Sequence, residues 1–326
     1  MQSFDHLITT RPHEVRQVLI SDLHLSPEEP ALVQAFLALL DDCLALPALK
    51  RLFILGDWFE VWIGDDAYLL LSEDERQTHW LTPLIVKLKQ LRVAGCEILI
   101  MHGNRDFLLG QPFCNLFGGE LIYEPYTLTV GQQNYRLEHG DALCIDDKKY
   151  QFFRKIMRNR LTQWYLLNKS LEKRLAIADK MRQKSQQNNA NKAAYIMDVN
   201  DEAVLQAVAD SDALLHGHTH RPDIHQATSN KKRYVLGDWR LLDGDTRQPQ
   251  VSAVIGAVTA DEDSDDKNML VTFSGTGEML RLSYPNKDNR QYLKYFHTGV
   301  KINSSDLIYL HDDINNVYKQ YYISIN

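Results

Sequence analysis

Five short polar clusters carry the side chains best suited to chemistry in this chain. They are Asp22-Leu23-His24, Gly56-Asp57, Gly103-Asn104-Arg105-Asp106, His139-Gly140-Asp141 and His216-Gly217-His218-Thr219-His220. Asp, Asn and His supply the oxygen and nitrogen donors that suit Mn²⁺, Mg²⁺, Fe or Zn²⁺. The clusters hold more donors than one ion needs, so they point to a two-metal site of the kind that performs in-line displacement at phosphorus. Asp22 and His24 lie two apart, a spacing that shares one face of a strand or converges on one ion from a loop.

Side chains this far apart in sequence need a scaffold that brings them to one rim. Four clusters directly follow apolar runs, at residues 18–20, 52–55, 98–101 and 213–215. Strands ending at a common edge would deliver them together. Residues 17–21, 51–55 and 97–101 are expected as strands, alternating with helices over 29–46 and 73–94, the second stopped by Gly95. Strands at 120–123, 126–130 and 135–138 follow with no helix between them, which suggests the second sheet of a sandwich. Residues 147–194 contain neither Gly nor Pro and mix charge with Phe152, Phe153, Ile156, Trp164 and Leu171. This predicts two or more helices with an apolar and a basic face, with 185–192 as a polar loop. Asp198 or Asn200 would cap a further helix reaching Ala209.

In order, D-x-H, G-D, G-N-x-D, H-G-D and G-H-T-H resemble the calcineurin-like metallophosphoesterase superfamily. Longer stretches are similar, within it, to the UDP-2,3-diacylglucosamine diphosphatase family. These are Ile20-Ser21-Asp22-Leu23-His24-Leu25, Gly56-Asp57-Trp58-Phe59-Glu60-Val61-Trp62-Ile63-Gly64-Asp65-Asp66, His102-Gly103-Asn104-Arg105-Asp106-Phe107-Leu108, Ile196-Met197-Asp198-Val199-Asn200 and His216-Gly217-His218-Thr219-His220-Arg221-Pro222.

The resemblance spans residues 16–240. It implies an α/β (α+β) four-layer αββα sandwich with a helical cap inserted at about 147–194. Residues 1–15 are then an N-terminal extension, and 241–326 a C-terminal strand followed by an acidic, Tyr- and Asn-rich extension. Two Mn²⁺ ions per chain are implied: Asp22, His24 and His218 with Asp57 on one, and Asp57 bridging to a second completed by Asn104, His139 and His216. A bridging carboxylate offsets the repulsion of cations roughly 3.5–4 Å apart.

Arg105 stands where much of the superfamily has His. Arg cannot be a general acid near neutral pH, but its fork can clamp a phosphate. Arg105 and Asp57 are thus the candidate catalytic residues. The resemblance carries over Asn104, Arg105, Asp147, Ser185, Asn189, Lys192 and His216 as substrate contacts. Asp106 is expected to support the ligands. Asp141 would orient a ligand or stabilise a turn, and His220 would support a ligand or merely end its loop. The implied reaction cleaves the pyrophosphate of UDP-2,3-diacylglucosamine to UMP and 2,3-diacylglucosamine 1-phosphate, in lipid A biosynthesis. The rivals are a calcineurin-like phosphoesterase acting on another nucleotide or phosphodiester, and a binding protein that keeps the fold but not the activity.

Composition fits this reading. The 326 residues are 44% hydrophobic with a formal net charge of −7. Cys43, Cys96, Cys114 and Cys144 form no C-x-x-C pair, so neither a zinc knuckle nor a disulfide framework is expected. Residues 1–16 lack the apolar core of a signal peptide and no apolar run approaches membrane-spanning length, so a cytoplasmic protein is expected. Between 148 and 192 there are thirteen Lys and Arg against only Glu172 and Asp179. Such a basic segment on an acidic chain calls for an anionic partner. With the resemblance, that partner is the nucleotide-linked diacylated sugar and the anionic inner-membrane surface, on which the enzyme would sit peripherally. No nucleic-acid motif and no obligate protein partner is evident.

Overall fold

The apolar runs that precede the polar clusters form parallel strands buried on both faces. In the computed structural model the described residues are 2–190, 198–242, 250–259, 270–271 and 280–284. In chain order, β1 (Gln2–Ser3) and α1 (Phe4–Thr10) lead into β2 (Val15–Ile20), α2 (Pro30–Ala45) and β3 (Arg51–Leu55). Three helices follow, α3 (Asp66–Leu69), α4 (Glu73–Thr78) and α5 (Thr82–Val93), and then β4 (Glu97–Met101), α6 (Gln111–Cys114) and β5 (Glu120–Ile122). The hairpin β6 (Tyr126–Val130) and β7 (Gln133–Leu137) precedes three helices, α7 (Lys148–Met157), α8 (Arg160–Leu167) and α9 (Leu171–Ala190). Next come α10 (Asp201–Ala207), β8 (Ala213–His216), β9 (Asp223–Gln226), β10 (Lys232–Val235), β11 (Arg240–Leu241), β12 (Val251–Thr259), β13 (Leu270–Val271) and β14 (Leu280–Tyr284).

Two sheets result. One has the order β1-β14-β12-β2-β3-β4-β5, with β11 and β13 also paired to β12; the other has the order β6-β7-β8-β10-β9. Period-two alternation sorts the strand residues into layers. Val18, Ile20, Leu52, Ile54, Ile98 and Ile100 face a core shared with α2 and α5. Leu19, Phe53, Leu55, Leu99 and Met101 face inward onto Leu128, Tyr135, Leu137 and Leu215 of the second sheet. Leu214 turns outward onto Ala203, Val204 and Ala207 of α10. This is the four-layer αββα sandwich.

Register then sets the site. Ile20 pairs with Ile54, Leu55 with Met101, Leu137 with Leu215 and Val235 with His216. The strands therefore end level, and the next residues of each chain segment meet at one rim.

The structure differs from the sequence expectations in several places. The helix expected over 73–94 is two helices, because Pro83 at the start of α5 cannot continue a helix from before it. The segment 120–123 is expected in the second sheet, yet β5 pairs with β4 and closes the first. Residues 1–15 are more than an extension: Phe4 and Leu7 are fully buried in the main core. Nor does the sandwich end at 240, since β12 is buried along all nine residues and pairs with β2 in the middle of the first sheet. Residues 185–190 belong to α9 rather than a loop, as no Gly or Pro interrupts that helix. The acidic run 261–266 and residues 286–326 lie outside the described residues, as does Lys192. No helix among the described residues is long and apolar enough to cross a membrane.

Candidate metal centre and active site

Every non-glycine residue with a left-handed backbone among those described lies at the rim: Asp22, His24, Asp57, His218 and His220, with φ between 49° and 67°. Such conformations are costly for residues other than Gly and Asn or Asp, and they gather where function over-determines them. Here each one turns the chain sharply off a strand end and brings a carboxylate or imidazole over the sheet edge.

Glycines make the close approaches possible. A Cβ at Gly56 would sit 2.6 Å from His139 Nδ1, and one at Gly140 2.7 Å from His216 Nδ1. At Gly103 it would collide with Asp57 Oδ1 and the Asp57 backbone nitrogen, and at Gly217 with Asp22 Oδ2. Gly103→Ala is expected to lower stability by about 2 kcal/mol or more, because the Asp57 backbone it strikes cannot rotate away. A thermal melt indistinguishable from wild type would contradict that cradle.

The donors are aimed and left open. Asp22 Oδ2 accepts from the His218 backbone N–H at 2.9 Å, while Oδ1 is buried without a hydrogen bond, 3.4 Å from His220 Nε2. Asp57 Oδ1 accepts from the Arg105 N–H at 2.9 Å. His139 Nδ1 donates to the Leu55 carbonyl at 3.0 Å, and His216 Nδ1 to the Gly217 carbonyl at 2.8 Å. Both rings thus turn Nε2 inward, the arrangement of metal-binding imidazoles. His216 Nε2 is buried and unpartnered. His139 Nε2 faces Asn104 Oδ1 at 3.1 Å. With Nδ1 donating to Leu55, Nε2 and this oxygen are both satisfied by a proton on the ring or by a metal ion that the two share.

The field at the rim demands that charge. Burial opposes protonation of His139, but Asp57 and Asp22 outweigh it and push the imidazole up to about 9. Burial also opposes ionisation of Asp22, yet the His220 contact and nearby His139 hold its carboxyl below the ordinary range. Burial and Arg233 push His216 down to about 3, and burial and His139 push His218 down to about 4, so both rings are neutral donors.

Two sets of ligand atoms lie within 4.8 Å of one another: Asp22, Asp57 and His139, and Asp22, His24 and His220. The residues therefore fit divalent metal. The His218 ring lies 5.1 Å from that of His139 and stacks on Tyr150, with its backbone N–H on Asp22 Oδ2, and His220 lies beside Asp22 and His24 as well.

Sequence reasoning passed over several supporting residues. Glu60 accepts from Arg105 Nη1 at 2.6 Å and lies 3.4 Å from His24 Nδ1. It thereby joins a candidate ligand to the candidate phosphate clamp. Its only sequence signal is its place three residues after Asp57. Arg105 faces Glu60 and Asp57, while Asp106 accepts from the Trp58 and Gly103 N–H groups and ties two rim loops together.

Asp141 anchors the cap rather than a ligand. Tyr150 Oη donates to it at 2.7 Å and Arg154 Nε at 2.9 Å, both from α7. Arg154 also pairs with Glu124, whose other oxygen accepts from the His139 N–H at 3.1 Å, and Arg158 donates to the Gly103 carbonyl at 3.2 Å. Asp147 caps α7 by accepting from the Tyr150 N–H at 3.0 Å. On α9, buried Arg174 pairs with Asp66. Arg154, Arg158 and Arg174 of the basic segment thus hold the cap to the rim. Beside them Trp58, Phe59 and Trp62 stack in series, with centroids 4.4 and 4.5 Å apart.

The chain belongs to the calcineurin-like phosphoesterase family, which residues 15–222 match. It is similar along most of its sandwich to curated proteins called UDP-2,3-diacylglucosamine hydrolase. The one from Pseudomonas putida (strain W619) is 41% identical over 227 residues, covering 68% of this chain and 90% of the relative. That of Shewanella piezotolerans is 42% identical, covering 69% and 90%, and that of Marinobacter nauticus 41% identical, covering 68% and 88%.

Proposed function

We propose that this chain hydrolyses the pyrophosphate bond of UDP-2,3-diacylglucosamine, releasing UMP and 2,3-diacylglucosamine 1-phosphate for lipid A biosynthesis. The observation that carries the reading is a donor set open for divalent metal, lying under a cap whose outer face is both apolar and basic. The names of the relatives support the substrate.

Two Mn²⁺ ions, held by Asp22, His24, Asp57, Asn104, His139, His216 and His218, would supply Lewis acidity and an activated water. The chain's own residues do the rest. Arg105, with one edge of its guanidinium on Glu60, presents the other to the diphosphate and stabilises charge that grows on its oxygens. The departing lipid phosphate is a good leaving group and needs no proton from position 105. Asn104 and His216 border the same diphosphate. Asp147, Ser185, Asn189 and Lys192 would meet the lipid end.

The cap exposes Phe152 at 68%, Leu161 at 76% and Trp164 at 65%, with Tyr165 and Ile156 beside them. Exposed Lys148, Lys149, Lys155 and Arg160 flank them. Such a face suits acyl chains and the anionic cytoplasmic leaflet, giving peripheral attachment without a span.

The test is turnover of UDP-2,3-diacylglucosamine with Mn²⁺, beside a UDP-sugar without acyl chains and a soluble diester. UMP released from the acylated substrate alone supports the reading. Hydrolysis of the diester alone keeps the phosphoesterase and removes the lipid. Leu161→Glu with Trp164→Glu should weaken partition onto anionic vesicles by on the order of 10-fold or more, since each side chain withdraws apolar area from the lipid. Diester turnover should not change. Unaltered vesicle binding would move the membrane contact elsewhere.

A further inference from the structure

A cleft of about 190 Å³ opens beside the His216–His220 loop, at the β10–β9 edge of the second sheet. Its polar lining is Asp198, Thr219, Arg221, Asp223, His225 and Arg233. Arg221 Nη1 is 2.7 Å from Asp198 Oδ2. Arg233 stands opposite His225 across the strand pair, and its Nη1 is buried with no hydrogen-bond partner. A buried donor without an acceptor is costly and marks a place where a ligand oxygen would be welcome. Pro222 and Val235 add apolar wall.

The topology says which part of a substrate could reach it. The cap is fastened to the loops after β3, β4, β5 and β7, through Asp66, Gly103, Glu124 and Asp141. In the second sheet β7 lies on one side of β8 and β10 on the other. The histidine loop that follows β8 separates them, and Thr219, between His218 and His220, also lines the cleft. A diphosphate lying across the metal-binding rim with its lipid end under the cap must send its nucleoside the other way.

We propose that this cleft is the subsite for the uracil end of the nucleotide, an inference that rests on the substrate reading above. Uracil presents a carbonyl, an N–H and a second carbonyl along one edge. The carboxylates of Asp198 and Asp223 offer acceptors for the N–H, and the guanidinium groups of Arg221 and Arg233 offer donors for the carbonyls. Cytosine carries an unprotonated ring nitrogen where uracil has its N–H, so it would set an acceptor against a carboxylate. Edge reading of this sort discriminates between bases through the donors and acceptors left unpaired by the wrong one. The volume is below the roughly 300–1,000 Å³ of pockets that enclose drug-sized ligands, which suits a single ring rather than a whole nucleotide sugar.

The experiment is UMP binding to the Mn²⁺-loaded full chain, measured by calorimetry and by inhibition of soluble-diester hydrolysis. Wild type should bind UMP about 10-fold more tightly than CMP or ribose 5-phosphate. Arg233→Met should erase that advantage, read by calorimetry as the ratio of UMP to CMP affinity in the same preparation. His225→Ala, at the partly exposed strand position facing Arg233, serves as the second variant should Arg233→Met fail to fold. It should weaken UMP binding in the same direction. UMP bound no better than CMP or ribose 5-phosphate, or bound equally by wild type and both variants, overturns the proposal. The substrate reading is judged separately: Arg233-dependent UMP binding without UDP-2,3-diacylglucosamine turnover would sustain the cleft and remove the lipid substrate.

Discussion

Asp57→Asn is expected to cost most of the bound metal and on the order of 10³-fold or more in turnover, because several kcal/mol of transition-state stabilisation depart with the ions. Asparagine is the informative replacement. It keeps an amide oxygen to accept from the Arg105 N–H, 2.9 Å away, and it tolerates the left-handed backbone that Asp57 adopts at φ 49°. What it removes is the negative charge. Asp57 is 2% exposed, with Asp22 and His139 in its ligand group and the Gly103 cradle at its Oδ1. A carboxylate so placed balances cationic charge that a neutral amide cannot. The measurement is metal content by elemental analysis alongside turnover in one preparation. An Asp57→Asn protein with two ions and ordinary activity would end the bridging role.

Much of this architecture was legible because strand ends and ligands coincide in sequence. The runs before Asp22, Asp57, Gly103 and His216 are apolar at every position facing either layer, so both the strands and their parallel burial could be read directly. The level register that brings the ligands together is a tertiary result, although the D-x-H and H-x-H spacings pointed to it. Other features left little local trace. Glu124 and Arg158 act on partners far away in sequence, as in the Arg158 bond to Gly103, and nothing in their neighbourhoods distinguishes them from surface charges. The N-terminal residues looked like an appendage because Phe4 and Leu7 are too few to form a pattern. Their burial depends on β14, whose Leu280 and Arg281 pair with Gln2 and Ser3 from far down the chain. The basic face expected over 147–194 is divided by the fold into anchors such as Arg154 and Arg174 and exposed cations such as Lys148 and Lys155.

Arg105→Ala is expected to lower kcat by about 10² to 10³-fold, the usual cost of removing one preorganised donor to developing oxyanion charge, with metal content near wild type. The two parts of the expectation separate because backbone and side chain of this residue do different jobs. The N–H that holds Asp57 Oδ1 survives in alanine, so the ligand keeps its orientation. The lost guanidinium is 34% exposed, lies 3.7 Å from Asp57 Oδ2 and is tethered by Glu60, which retains His24 and Arg182 as neighbours. Lysine should restore little, since an ammonium cannot reproduce the fork that meets two phosphate oxygens while remaining on Glu60. A rise in KM with kcat unchanged would show that the side chain binds ground and transition states alike. Loss of metal from Arg105→Ala would place the guanidinium among the supports of the ligands and leave the phosphate without its clamp.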